Sequence, residues 1–402
     1  MAGVPEKARF YLERAVPQLR EFEEKGIFAP EEIRSLVRKR TDFEHLVLSP
    51  GDRPTDWLNY ARWEKSLESL RAKRCRRLQI RTSSAHAGQG RVFAILERAV
   101  GRHQGSLELW KEYLAYARDM KATKRYRKVM TRALRLHPAK SELWVLAGRR
   151  SAVSGDMPNA RSFFMRGVRF CAREPTVWLE YARCEVEWLE RMEARKGKKG
   201  GTETAIREQA EHSDDEIRFD EDGSDDDEYV DENGRLVLPD PEKAAKKKVF
   251  DDATAQKLEK NPALDGAIPL AIFDISKKQP FFNATVAEQF FYLFAMFNKV
   301  SSQARILQHV LDTMQEVYPN DPSTCYCYIQ QPLAGVGINT PAYPKALREA
   351  LARLKSTLAT TTSQPKLAEK VRSWIEPVLA SEHLDAGIRT VLEHTLRTLP
   401  KP

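Results

Sequence analysis

Apolar positions along this chain recur at helical spacing. Val92, Ile95, Leu96, Ala99 and Val100 fall on one face of a helix. Further on, Leu347, Leu351, Leu354 and Leu358 form one stripe, Val371, Trp374, Ile375, Val378 and Leu379 a second, and Ile388, Val391, Leu392 and Leu396 a third. The stretch from Val286 to Phe297 is aromatic on all sides, which predicts a buried helix. Gly26 predicts a helix stop, and Ala29-Pro30-Glu31-Glu32 predicts a start, with proline and acids in the first turn. No segment alternates convincingly at period two, so an all-α protein with no sheet is expected.

Superimposed on the helical pattern is a longer one. Trp110, Trp144 and Trp178 stand 34 residues apart in the phrases Glu108-Leu109-Trp110, Glu142-Leu143-Trp144 and Thr176-Val177-Trp178. Twelve residues before each comes a second phrase: Arg98-Ala99-Val100, Arg132-Ala133-Leu134, Arg166-Gly167-Val168. Two phrases locked to one period mean a helix-turn-helix unit copied in tandem, the signature of an α-solenoid. The octets beginning at Trp57 and Trp178 are almost superimposable, and their Trp, Tyr and Glu lie along one helix face. Trp57, Tyr60, Trp110, Tyr113, Trp144, Trp178 and Tyr181 are therefore expected to pack repeat against repeat rather than to stack on bases. The larger step from Trp57 to Trp110 predicts an extra half-unit, with a loop over 82–90.

The pattern fails between about Glu193 and Pro262, where charge is dense and hydrophobicity low; a disordered insertion is expected. The chain thus reads as N-terminal helices (1–50), a repeat solenoid (51–192), a charged linker (193–262) and C-terminal helical repeats or a bundle (263–402). The formal net charge of +9 conceals a division: Asp214 to Glu232 carries twelve acidic residues and one arginine, so everything else is strongly basic. A basic body with an acidic tract points to a polyanionic partner, to a second protein that reads the tract, or to plain solubility. Five cysteines, none at CxxC spacing, fit a reducing compartment. The longest apolar run, Phe290 to Phe297, is too short to span a membrane, so a soluble intracellular protein is expected.

The pattern Trp-x-x-Tyr-x-x-x-Glu, followed by Ala-Arg-x-aromatic in the next helix and then a proline, resembles the half-a-tetratricopeptide (HAT) repeat. The phrases Glu6-Lys7-Ala8-Arg9-Phe10-Tyr11-Leu12-Glu13, Lys39-Arg40-Thr41-Asp42-Phe43-Glu44-His45 and Leu70-Arg71-Ala72-Lys73-Arg74-Cys75-Arg76-Arg77 narrow this. They resemble the U-three small nucleolar RNA-associated protein six family, closely over 1–185 and less so over 263–402. In the second region Gly266-Ala267-Ile268-Pro269-Leu270-Ala271-Ile272 is the clearest shared phrase. The chain departs from the repeat at Ala117, where Glu is expected, and at Ala147 and Ser151, which replace Tyr and Glu. The resemblance implies a nucleolar scaffold in the UTP-B module of the small-subunit processome. Its partners would be β-propeller subunits, with pre-ribosomal RNA and U-three small nucleolar RNA contacted weakly or indirectly. Two alternatives stay open: a HAT scaffold of pre-mRNA splicing or 3′-end processing, and a direct RNA-binding module.

For the last of these, the candidate residues are Lys73, Arg76, Arg77 and Arg81 on a basic helix, and the separate run Arg38, Lys39 and Arg40; such faces neutralise phosphates or are merely solvated. Lys196, Lys198, Lys199, Lys246, Lys247 and Lys248 fit basic nuclear-import signals. Ser213 and Ser224, each followed by acids, fit acidophilic phosphorylation sites. No phosphate-binding glycine loop, nucleophile elbow or metalloprotease motif occurs, and Cys325 and Cys327 have no companions at zinc spacing. Catalysis, cofactor and metal are therefore not expected.

Overall fold

A computed structural model describes residues 4–80, 86–198, 266–380 and 384–400. Among them every regular element is helical. The chain forms two compact units, Met1–Ala147 and Gly148–Pro402, whose boundary falls inside one helix.

The first unit holds α1 (Val4–Glu13), α2 (Val16–Glu24), α3 (Pro30–Leu48), α4 (Pro54–Leu78), α5 (Ala87–Arg102), α6 (Leu107–Asp119), α7 (Thr123–Leu136) and the start of α8 (Ser141–Val153). Local chemistry sets the helix ends. After α2, Gly26 takes φ +62°, a left-handed conformation that glycine adopts without strain. Pro30 then opens α3, and the Glu32 carboxylate accepts from the Ala29 amide at 2.9 Å. Pro54 opens α4 in the same way, with Asp56 accepting from the Arg53 amide at 3.0 Å. Helix α5 starts at Ala87, inside the stretch expected to be loop. It can do so because Gly88 lies against Glu68; a Cβ at Gly88 would meet the Glu68 carboxylate at 2.0 Å.

The second unit continues with α9 (Met157–Phe170), α10 (Thr176–Lys198), α11 (Ala267–Ser276), α12 (Ala284–Ala295), α13 (Gln303–Val317), α14 (Pro322–Gln330), a 3-10 turn (Gln331–Leu333), α15 (Tyr343–Thr360), α16 (Gln364–Leu379) and α17 (Ala386–Thr398). Its hydrophobic core does not stop at the insertion. Trp178, Ala182, Val186 and Leu189 of α10 share one buried cluster with Ile272 and Phe273 of α11, Phe290, Phe291 and Phe294 of α12, and Leu307, Val310 and Leu311 of α13. Ser301 reinforces the join, donating from its amide and hydroxyl to Glu193 at 2.9 and 2.7 Å. Helix α14 links this cluster to a second one. Its Cys327 belongs to the first, and its Cys325, Tyr326 and Ile329 pack with Leu347, Leu354, Leu367, Val371 and Ile375. Of the third C-terminal stripe only Leu392 is buried, and Val391 is 46% exposed. Lys370 of α16 bonds the Glu288 carboxylate of α12 at 2.6 and 2.8 Å, fixing the two clusters to each other.

Gly148 shows how closely the second unit's helices approach. A Cβ there would lie 2.5 Å from Phe164 Cζ, and that ring is fully buried against Tyr181, their centroids 5.2 Å apart and their planes within 11°. In an open helix, Gly→Ala gains about 1 kcal/mol from propensity. Here overpacking outweighs that gain, so Gly148→Ala is expected to destabilise the protein by about 1–3 kcal/mol in urea unfolding. Adding Phe164→Leu should return part of the loss.

Candidate functional site

The repeat tryptophans are buried: Trp57 is 2% exposed, Trp110 0%, Trp144 5% and Trp178 6%. Three also fasten the turn that precedes their helix. Trp110 Nε1 donates to the Gln104 carbonyl at 2.9 Å and Trp144 Nε1 to the Pro138 carbonyl at 2.8 Å, each six residues upstream. Trp57 Nε1 instead donates to the Asp52 carboxylate at 2.8 Å, which also receives Arg102 and His103. Each of these three indoles thus fills the core and satisfies its one polar atom, whereas Trp178 Nε1 is buried without a hydrogen-bond partner. None presents a face on which a base could stack.

The tyrosine three residues on completes the module. Tyr60 donates to Glu44 at 2.9 Å and Tyr113 to Glu97 at 2.8 Å, both across 16 residues. The same acids receive an arginine from a later helix. Arg98 bonds Glu44 with both terminal nitrogens, at 2.9 and 2.8 Å, and Arg132 bonds Glu97. Each of these arginines also lies over the repeat's tryptophan, 5.3 Å from the Trp57 ring centre and 5.5 Å from that of Trp110. The recurring Arg-Ala phrase and the recurring Trp-x-x-Tyr phrase are therefore halves of one interaction, joined through a glutamate.

A second element recurs at a fixed offset. Arg40 grips Glu64 through Nε and Nη2 at 2.6 and 3.0 Å; Arg161 grips Glu185 likewise at 2.6 and 2.8 Å; both pairs span 24 residues. Three residues after each arginine a phenylalanine stacks on the tyrosine. Phe43 lies 5.1 Å from Tyr60 with planes within 8°, matching Phe164 on Tyr181. In the repeat of Trp110, where Ala117 replaces Glu, the arginine position is Phe93, packed 4.7 Å from Tyr116. Both members of the pair change there; one repeat on, Ser151 replaces the Glu and Arg127, at the arginine position, is exposed, so neither repeat buries a lone charge.

Burial and the neighbouring Glu44 push the Tyr60 phenol well above its ordinary range, and burial with Glu97 does the same to Tyr113. Burial and Glu185 hold Tyr181 up at about 12. These phenols stay protonated, and those of Tyr60 and Tyr113 stay donors. Burial likewise raises the thiols Cys184, to about 12, and Cys327. Thiols so held are poor nucleophiles, and the described residues contain no group of three or more His, Cys, Asp or Glu able to hold a metal.

The expected phosphate-binding residues separate. Arg40 is not one: it is 1% exposed and committed to Glu64. Helix phase is the reason, since Arg40, Glu44 and Val47 form the inward stripe of α3 while Arg38 and Lys39 face solvent. On α4 the phase divides the basic run in the same way. Arg71 turns in to Glu68, and Arg74 bonds Glu32 at 2.7 and 2.8 Å and lies over the Phe28 ring. Lys73, Arg76 and Arg77 are exposed on the opposite face with Arg62. Arg81, Lys199, Lys246, Lys247, Lys248, Ser213 and Ser224 lie outside the described residues. Lys196 and Lys198 fall on the last turn of α10, where the backbone alone is described.

Buried tryptophans, tyrosine-glutamate-arginine bridges and stacked helix pairs define a helical-repeat protein of the tetratricopeptide-like class. Residues 12–96 match the family model described as U3 small nucleolar RNA-associated protein 6. A protein of that name from Schizosaccharomyces pombe is 34% identical over 194 residues, which are 47% of this chain and 40% of the relative. The homologues from Homo sapiens and Mus musculus are 27% and 26% identical over 195 residues, 46% of this chain and 32% of each relative. The matching part of the chain spans only a third to two fifths of those relatives' length.

Two outcomes follow for the buried charges. Arg40→Ala should cost about 3–5 kcal/mol by leaving Glu64 buried without its partner. The double variant Arg40→Phe with Glu64→Ala, which installs the pair found at Phe93 and Ala117, should lose less than Arg40→Ala alone in chemical unfolding. The exposed pair reports through pH. The Arg74 hydrogen bond, with that of the Ala29 amide, holds the Glu32 carboxyl down at about 2, against 4.5 for an ordinary glutamate. The unfolded chain then takes up this proton first as pH falls. The stability from this group is complete above about 4.5 and lost as pH drops towards 2. Arg74→Gln should flatten the fall in melting temperature over that interval.

Proposed function

We propose that this chain is a non-catalytic scaffold subunit of the small-subunit processome. It would serve early pre-ribosomal RNA processing in the nucleolus as part of the UTP-B module, beside β-propeller subunits. The single observation that carries the reading is the family match over the N-terminal repeats, where the relatives bear the name U3 small nucleolar RNA-associated protein 6. The interior supports it. The buried acids Glu44, Glu64 and Glu185 are engaged in holding helix to helix, which leaves the solvent-facing repeat positions for partners. A HAT-type repeat surface makes many modest contacts at once, and an assembly gains affinity from their number rather than from any one.

The test is purification of the tagged full chain from nuclei, with and without nuclease, followed by mass spectrometry. Stoichiometric propeller proteins that resist nuclease are the expected result. Recovery of splicing or 3′-end processing factors in their place would overturn the assignment. So would loss of every protein partner on nuclease treatment.

A further inference from the structure

Helix α7 carries six cations and no acid, and they divide by phase. Arg125 and Arg132 turn inward, the first over the Phe93 ring at 4.6 Å and the second onto Glu97. Lys124, Arg127 and Lys128 face solvent, in line with the exposed Thr131 and Arg135. From Lys124 to Arg135 the stripe runs about 16 Å at the helical rise. Lys121, exposed in the turn before the helix, extends it.

Charge runs are often only solvated faces. Here two features say otherwise, because the cations stand where the local structure favours other residues. The first is Lys121, which holds φ +54°. The equivalent turn of the next repeat has Gly155 at φ +83°. The two turns are otherwise alike. Ala122 donates to the Ala117 carbonyl as Asp156 does to that of Ser151, both at 2.9 Å, and Thr123 to Lys121 as Met157 to Gly155, at 3.0 and 3.1 Å. A lysine in the left-handed region is strained where a glycine is not. The second is the helix start. In α9 the Asp156 side chain caps the helix by accepting from the Asn159 amide at 3.2 Å. In α7 the capping position is Ala122, with no side-chain cap, and Lys124 and Arg125 sit in the first turn. Cations there oppose the helix dipole, unlike Glu31 and Glu32 of α3 or Asp56 of α4. One repeat has thus exchanged a glycine and an acidic cap for a denser positive edge.

We infer that Lys121, Lys124, Arg127 and Lys128 form a binding surface for the phosphate backbone of RNA. The composition of the face separates RNA from an acidic protein. Protein interfaces centre on apolar and aromatic anchors and are poor in lysine. This face has three lysines, no aromatic, and a single large apolar side chain at its far end, Leu136. Close-set Lys and Arg without base-reading side chains bind nucleic acid through counterion release, with little regard to sequence. The inference stands apart from the scaffold reading, because it concerns the purified chain and RNA alone.

The experiment is fluorescence anisotropy of the full chain with a labelled single-stranded poly(U) oligonucleotide, titrated across a series of potassium chloride concentrations. Changing all four residues to glutamine should reduce the slope of log affinity against log salt by about 2 to 3, at roughly 0.7 per phosphate contact, and weaken binding at low salt about tenfold or more. The same changes should leave the melting temperature unchanged or raised. Lys121→Gly alone should raise it while reducing RNA affinity, which a purely structural residue would not do. An unchanged slope in the fourfold variant would overturn the inference. So would a slope lost only on changing Lys73, Arg76 and Arg77, or loss of polyglutamate binding with RNA binding intact.

Discussion

A carboxylate taken out of water must find donors for its oxygens or surrender its charge. In the first unit Glu44 and Glu64 are each 2% exposed, and their demand arranges much of what surrounds them. Glu44 fixes Tyr60 and Arg98, which lie on different helices; Glu64 fixes Arg40. Burial and the Arg40 guanidinium push Arg91, drawn towards the same centre, below the ordinary arginine range. Apolar packing alone permits neighbouring helices to slide by a turn. A two-nitrogen grip on a carboxylate does not, because shifting either helix strands a charge. The hydrophobic faces supply the attraction between helices, and the ionic bridges select one register.

That division explains the repeat's tolerance. Phe93 and Ala117 hold the places of Arg40 and Glu64 one repeat later and keep the helices together by contact, while Glu97, Tyr113 and Arg132 retain the other bridge. Charge recurs in the second unit at Arg161 and Glu185. The module therefore keeps its buried indole while one interaction is exchangeable: an ion pair at Arg40 and Glu64 or Arg161 and Glu185, an aromatic against a small residue at Phe93 and Ala117.

Much of this was legible in the sequence. Helix period, the recurring tryptophans and the paired phrases define an all-α repeat, and the octets at Trp57 and Trp178 reveal equivalent positions. What escaped was phase. Arg38-Lys39-Arg40 reads as one basic run, but a helix turns 100° per residue and places its third member inside. Arg40, Glu44 and Val47 at i, i+4 and i+7 carried the signal, as did the matching Arg161, three residues before Phe164. The basic face of α7 is equally present in the sequence, where Lys124, Arg125, Arg127 and Lys128 put four cations within five residues, two of which share the exposed phase with Arg127. Glu44 was not predictable by local reasoning, since its partners lie 16 and 54 residues away.

The core of the second unit is assembled from both sides of the charged insertion. Trp178 and Val186 are buried with Phe273 and Phe290, and Glu193 is tied to Ser301. The peptide link between the two sides is therefore not what keeps them together. A protease that cut the chain anywhere in between would yield two fragments on a denaturing gel and a single particle in solution.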